Sequence, residues 1–149
     1  AIFPAYSAAS VVALLASGWA VDRFGTARLM PLFQLPLALF YFLFAGVDSL
    51  ALALPVMLLM GLTSGAQATV PVAFWAEFYG TRHIGSIKAT AAAIMVLGSA
   101  IGPILTGALI DLGIRFPQQM VGIGLYFLLA CLLAGIGVGT AKRSLTVSA

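Results

Sequence analysis

The sequence predicts an all-α, polytopic membrane bundle of about five transmembrane helices, and two observations carry that expectation. Of the 149 residues, 62% are apolar and 7% are charged, with a mean hydropathy of +1.14. A soluble domain keeps about a quarter of its residues charged to stay hydrated, so lipid is the solvent this composition fits. The second observation is length: roughly 20 apolar residues cross the hydrocarbon core as a helix, and five stretches reach that length. The single cysteine, Cys131, lies in an apolar run without a partner, which excludes disulfides and a cysteine-rich metal site.

The first span is expected at about 2–21 and the second at about 29–46, after the charged stretch Asp22 to Arg28. The third, at about 50–76, carries Pro55 and Pro71. It is expected to be long and bent, because a proline inside a helix removes a backbone hydrogen bond. The fourth falls at about 87–110 and the fifth at about 120–139. The polar tail, 141–149, is expected to fray. The aromatic run Phe40, Tyr41, Phe42 and Phe44 in the second span is expected to face lipid, and Trp19 and Trp75, near span ends, to act as interfacial anchors.

Orientation follows from the cations, which gather in short loops on the cytoplasmic side. With five crossings, Arg23, Arg28, Arg82, Lys88, Lys142 and Arg143 share one side and only Arg115 lies opposite. That asymmetry predicts a cytoplasmic C-terminus and a chain that begins outside. The apolar start shows no basic leader or small-residue cleavage site. The expectation is therefore the end of a longer protein, with an odd number of spans upstream.

The most specific pattern is the loop Gly18-Trp-Ala-Val-Asp22-Arg23-Phe-Gly25-Thr-Ala-Arg28, between the first two spans. A tight reversal needs glycine for unusual dihedrals and close approach, and an acid among bases can pair with them or with helix ends. An ordinary charged turn would meet the same needs. The spacing resembles the signature loop of the major facilitator superfamily, found between the second and third helices of each half. Gly18, Asp22, Arg23, Gly25 and Arg28 match it, while Ala27 stands where a second base is common.

That resemblance implies a partial major facilitator fold, helices eight to twelve of twelve, in a bacterial inner membrane. In the family two six-helix halves rock about a central site, exposing a small-molecule solute to one side at a time. The implied partners are the N-terminal half of the same carrier, the lipid bilayer and the solute. A chain starting just before Ile2 would instead suit a half-length scaffold or a receptor-like protein that transports nothing. The resemblance also places an acid and a base at the cytoplasmic end of the third span, here Glu77 and Arg82, bridging to the loop arginines. With Asp22, Arg23 and Arg28 they would latch a cytoplasmic gate; the plainer reading is that both snorkel to the interface.

In the fourth span, Gly98, Gly102 and Gly107 with Pro103 offer a groove for close helix approach and a freed carbonyl. A similar pattern marks the fifth helix of some antiporters of the family, and simple packing explains it equally well. All four acids and His83 fall at span ends or in loops, so no proton carrier of the usual intramembrane kind lies within these spans. Neutral groups remain for solute contact: Thr63, Ser64 and Gln67 in the third span, Tyr6 and Ser7 in the first, and Ser99 and Thr106 in the fourth. Gln67 either meets a water-filled cavity or bridges neighbouring helices, since an amide at that depth needs partners. Hydroxyls often bond back to their own helix.

His83 reads as a solvated loop residue or as a pH-sensing neighbour of Glu77. One histidine, one cysteine and no acid buried in a span give too little material for catalysis, so no catalytic residue, metal or cofactor is expected. The net charge of +3 is explained by orientation rather than by nucleic acid. The stretch from Phe74 to Gly113 is similar to bacterial porters of small organic acids or exporters of metabolites, although no base within the spans is expected to meet an anion. Glu77→Gln and Asp22→Asn are each expected to impair transport while leaving membrane insertion intact; full uptake by both variants would remove the gate network.

Overall fold

The computed structural model describes the backbone of residues 2–147 and the side chains of residues 3–140. Six helices follow in order: α1 (Ile2–Phe24), α2 (Thr26–Leu29), α3 (Leu35–Phe44), α4 (Leu50–Tyr79), α5 (Ile84–Asp111) and α6 (Phe116–Val147). Among the described residues, α1, α4, α5 and α6 are long and apolar enough to cross a membrane, whereas α3 is shorter. The expected tail, with Lys142 and Arg143, lies outside the described side chains, and α6 carries its backbone on to Val147.

The second expected span is not one rod. After the four-residue α2, the chain turns through Met30–Gln34, where the amides of Leu32 and Phe33 both bond the Leu29 carbonyl at 2.9 Å. Pro31 and Pro36 explain the break, because proline lacks the amide donor that would carry the helical hydrogen bonds through the turn. The ten residues of α3 span about 15 Å, half the hydrocarbon thickness. By contrast, the 30 residues of α4 continue through Pro55 and Pro71 and extend about 45 Å. Ser49 caps its start by accepting from the Leu52 amide at 3.4 Å, and Gly80, with φ of 74°, ends it.

Lipid gives helices no hydrophobic reason to associate, so close van der Waals contact between small residues must do it. That contact is between α1 and α4. A methyl group at Gly65 would overlap the Ser10 carbonyl oxygen and lie 2.7 Å from the Ala13 Cβ and 2.8 Å from the Leu14 amide nitrogen. One turn earlier, a methyl at Gly61 would meet the Tyr6 carbonyl oxygen at 2.9 Å. Gly61-Leu-Thr-Ser-Gly65 is thus the small-residue seam of the bundle. The glycines expected to pack, Gly98, Gly102 and Gly107, have no atom of a neighbouring element within 4 Å of where a methyl would sit.

On the other flank α3 packs on α6 and α4. Phe40 is buried, Tyr41 stacks on Phe127 with ring centroids 5.6 Å apart, and the Phe42 ring fills the space above Gly124. The aromatic run is therefore a helix–helix contact and not the lipid-facing surface expected. Its rings supply the contact area that a short helix otherwise lacks. Helix α5 stands apart, burying none of its residues within this chain.

Gly65→Ala is expected to lower the melting temperature of the solubilised carrier, since overfilling a packed contact costs about 1–3 kcal/mol. Gly137→Ala, at a helix position open on its surface, is expected to leave it unchanged or raised.

Candidate functional site

The signature loop is built around Gly25, whose φ of 79° a side chain would resist. Its amide bonds the Val21 carbonyl at 2.9 Å to close α1, and the chain enters α2 at once. This places Thr26 and Ala27 under the end of α4, both buried. Gly18 has open space around it, so no close approach within this chain explains that glycine.

The ion pairs expected of Glu77 with Arg23, Arg28 or Arg82 are not formed; among the described residues the Glu77 carboxylate instead accepts a hydrogen bond from the Thr26 hydroxyl. Two features account for this. Thr26, only 3% exposed, is held directly beneath the last turns of α4. Arg23 is drawn the other way, its guanidinium 5.6 Å from the Trp19 ring centroid and 6.0 Å from that of Phe24, where the ring faces attract a cation. Asp22, Arg28, Arg82 and His83 are exposed.

A cavity of about 670 Å³ opens between the Met30–Gln34 turn, α4 and the first half of α5. Three walls face it at helical spacing. Ser64, Gln67, Ala68, Pro71, Val72 and Trp75 come from α4, and Lys88, Ala91, Ala92 and Met95 from α5. Met30, Phe33 and Gln34 close the third side. Gln67 reaches Met95, its Nε2 lying 3.9 Å from the thioether sulfur, which is a weak acceptor. Four residues on, Pro71 deprives the Gln67 carbonyl of its helical donor. The middle of the cavity therefore offers the Gln67 side-chain amide, whose one contact is weak.

The other expected solute contacts divide. Tyr6 is brought to Ser64 across the α1–α4 seam, donating its hydroxyl to Ser64 Oγ at 2.9 Å. Thr63 and Ser99 bond back to their own helices, to the Leu59 carbonyl at 3.3 Å and the Val96 carbonyl at 2.8 Å. Ser7 is exposed on α1 and does not line the cavity. Thr106 lines a smaller cavity of about 410 Å³ between α5 and α6, together with Gly102 and Gln119.

Several polar residues escaped sequence reasoning. Gln119 is buried and donates through Nε2 to the Ile114 carbonyl at 3.0 Å and the Thr106 carbonyl at 3.4 Å, tying α6 to the end of α5. Ser10 Oγ is buried at the seam and has no partner among the described residues. Gln34 sits in a break signalled by the flanking Pro31 and Pro36. Lys88, expected as a loop cation, is inside α5 and shares a face with Ala91, Ala92 and Met95. Trp75, expected as an anchor, is a cavity wall.

Comparison with known proteins identifies a family. The sequence profile of the Major Facilitator Superfamily matches residues 1–146. Two curated proteins of Mycobacterium tuberculosis, each called multidrug resistance protein B homolog, are similar to the chain; one is from strain CDC 1551 / Oshkosh and the other from strain ATCC 25618 / H37Rv. Each is 33% identical over 105 residues, which cover 70% of this chain and 19% of the relative. The chain thus spans about a fifth of the length of the curated relatives it matches. No solved structure matches it.

Thr26→Val is expected to lower the melting temperature of the carrier, because a hydrogen bond to a charged group contributes about 1.5 kcal/mol or more. Thr26→Ser, which keeps the donor, is expected to preserve most of it. Equal loss in the two variants would show that the methyl group of Thr26, and not its hydroxyl, holds the loop.

Proposed function

This chain belongs to the major facilitator superfamily, and from that premise we propose that it supplies helices eight to twelve of a longer carrier that moves a small organic solute by alternating access. It is a multi-pass membrane protein and not an enzyme. The observation that carries the reading is the cavity on α4. Its size falls in the usual range for small-molecule sites, about 300–1,000 Å³, and its make-up is the usual one: apolar walls with a few polar groups placed to orient an occupant.

In this reading Gln67 and Ser64 contact the solute, and Tyr6 holds Ser64 in place from α1. The Gly18–Arg28 loop, with Glu77 and Arg82, latches the cytoplasmic end, and the Thr26 hydrogen bond to Glu77 secures the loop to α4. The distribution of Lys and Arg supports a cytoplasmic C-terminus in a bacterial inner membrane. The bare glycine face of α5 suits the N-terminal half of the carrier as its neighbour, since small residues let helices approach closely. The name of the relatives, multidrug resistance protein B homolog, points to drugs as the solute class, which the Met30, Phe33, Trp75 and Met95 walls would accommodate.

Expression of the whole carrier in a drug-hypersensitive bacterial host is expected to raise tolerance to apolar aromatic compounds, and Gln67→Leu to cancel that gain at equal membrane abundance. No gain with the native carrier would remove drugs as the solute class. A gain untouched by Gln67→Leu would move the solute elsewhere.

A further inference from the structure

We propose that the cavity on α4 selects amphipathic organic anions through Lys88, an inference that rests on the transporter reading for its biological use but not for its chemistry. Among the described residues, every side chain lining the cavity is neutral except this lysine, and no carboxylate lines it. Within its walls, then, the only formal charge is positive. The acid nearest in sequence, Glu77, is two residues beyond Trp75 and is engaged by Thr26. Among the described residues Lys88 forms no ion pair of its own, and its side chain is exposed in this chain. A cation entering this space would meet repulsion without a counter-charge, whereas an anion would find one.

Position along the helices makes the charge an end group. Helices α4 and α5 run antiparallel from the hairpin at Gly80. Trp75 and Lys88 therefore stand at the hairpin end of the cavity, and Ser64, Gln67 and Met95 lie deeper. Lys88 and Met95 are seven residues apart on one face, about 10 Å along the axis. Between them the walls are alanines, a valine, a proline and aromatic rings. The occupant this arrangement fits is about 10 Å long. It carries a carboxylate or sulfonate at one end, a flat apolar body, and at most a hydrogen-bonding group at the other end for the Gln67 amide. Lys88 is suited to the part, since its four-carbon stem can lie along apolar wall while the ammonium stays at the mouth.

The same chemistry is offered by a soluble organic acid and by an anionic lipid, and the test separates them. Binding of 2-naphthoate, 2-naphthylmethanol and 2-naphthylmethylammonium, which share one aromatic body and differ in charge, is measured by equilibrium dialysis against the whole carrier in phosphatidylcholine nanodiscs. Naphthoate is expected to bind about tenfold more tightly than the ammonium probe, a difference of the size a charge-assisted hydrogen bond supplies. Lys88→Met is expected to remove that preference while leaving the neutral alcohol unchanged, and Lys88→Arg to retain it. Equal or tighter binding of the ammonium probe, or a preference that survives Lys88→Met, would overturn the proposal. So would the absence of naphthoate binding.

Repeating the measurement with phosphatidylglycerol in the disc identifies the source. Competition with naphthoate at the Lys88-dependent site would assign the anion to the bilayer, and undiminished binding would assign it to solution. Counterflow of naphthoate in proteoliposomes distinguishes this inference from the broader one. Lys88-dependent binding without counterflow would leave the anion site standing and remove the transport reading. Counterflow with no preference among the three probes would do the reverse.

Discussion

Close contact between α1 and α4 across Gly61 and Gly65 is the constraint on which the rest of the bundle depends. In lipid the apolar faces of two helices gain little from meeting, so what holds them is the density of atom contacts and the hydrogen bonds those contacts permit. Two glycines one turn apart let the α4 backbone approach that of α1 until a single methyl has no room. Only at that distance does the Tyr6 hydroxyl reach Ser64. Fixing one face of α4 against α1 fixes the adjacent face too. That face carries Ser64, Gln67, Pro71 and Trp75 at helical spacing into the cavity. The seam thus sets both the rigidity of the scaffold and the direction in which its polar groups point.

The chain resolves into two packed pairs and one outlying helix. Helix α4 is shared, meeting α1 through glycines and also packing on α3. Helix α6 is held by aromatic rings of α3, notably Tyr41 on Phe127 and Phe42 over Gly124. Because α3 is short, rings substitute for length. Helix α5 touches its neighbours lightly and is tied to α6 by the Gln119 amide, which donates to the Thr106 carbonyl. The cavity lies between α4 and α5, a pair that packs lightly.

The all-helical class, four of the five expected long spans and the loop pattern were legible in the sequence because they depend on local composition and on a few residues of special conformation. Gly25 is the clearest case: a glycine at the exit of a span was read as a turn, and its positive φ is that turn. Placement of side chains across helices was not legible, because helical periodicity says which residues share a face but not what the face meets. Gly98, Gly102 and Gly107 carried the same small-residue signal as Gly61 and Gly65, yet within this chain only the latter pair found a partner. The break at Met30–Gln34 was written in Pro31 and Pro36, but hydropathy averaged over a window passes smoothly across two apolar prolines. Lys88 was counted with the loop cations by its charge although it fell at the edge of the fourth expected span; its place on the same face of α5 as Ala91, Ala92 and Met95 made it a cavity wall.

The hydrogen bond between Thr26 and Glu77 has a consequence for how the loop responds to its surroundings. Mobile ions weaken attraction between exposed unlike charges over a distance of about 10 Å at moderate ionic strength. A neutral hydroxyl pressed against a carboxylate at contact range draws no such atmosphere between the partners. The hold of the loop on α4 is therefore nearly indifferent to the salt content of the compartment it faces, whereas a loop fastened by arginine would slacken and tighten as that content changed.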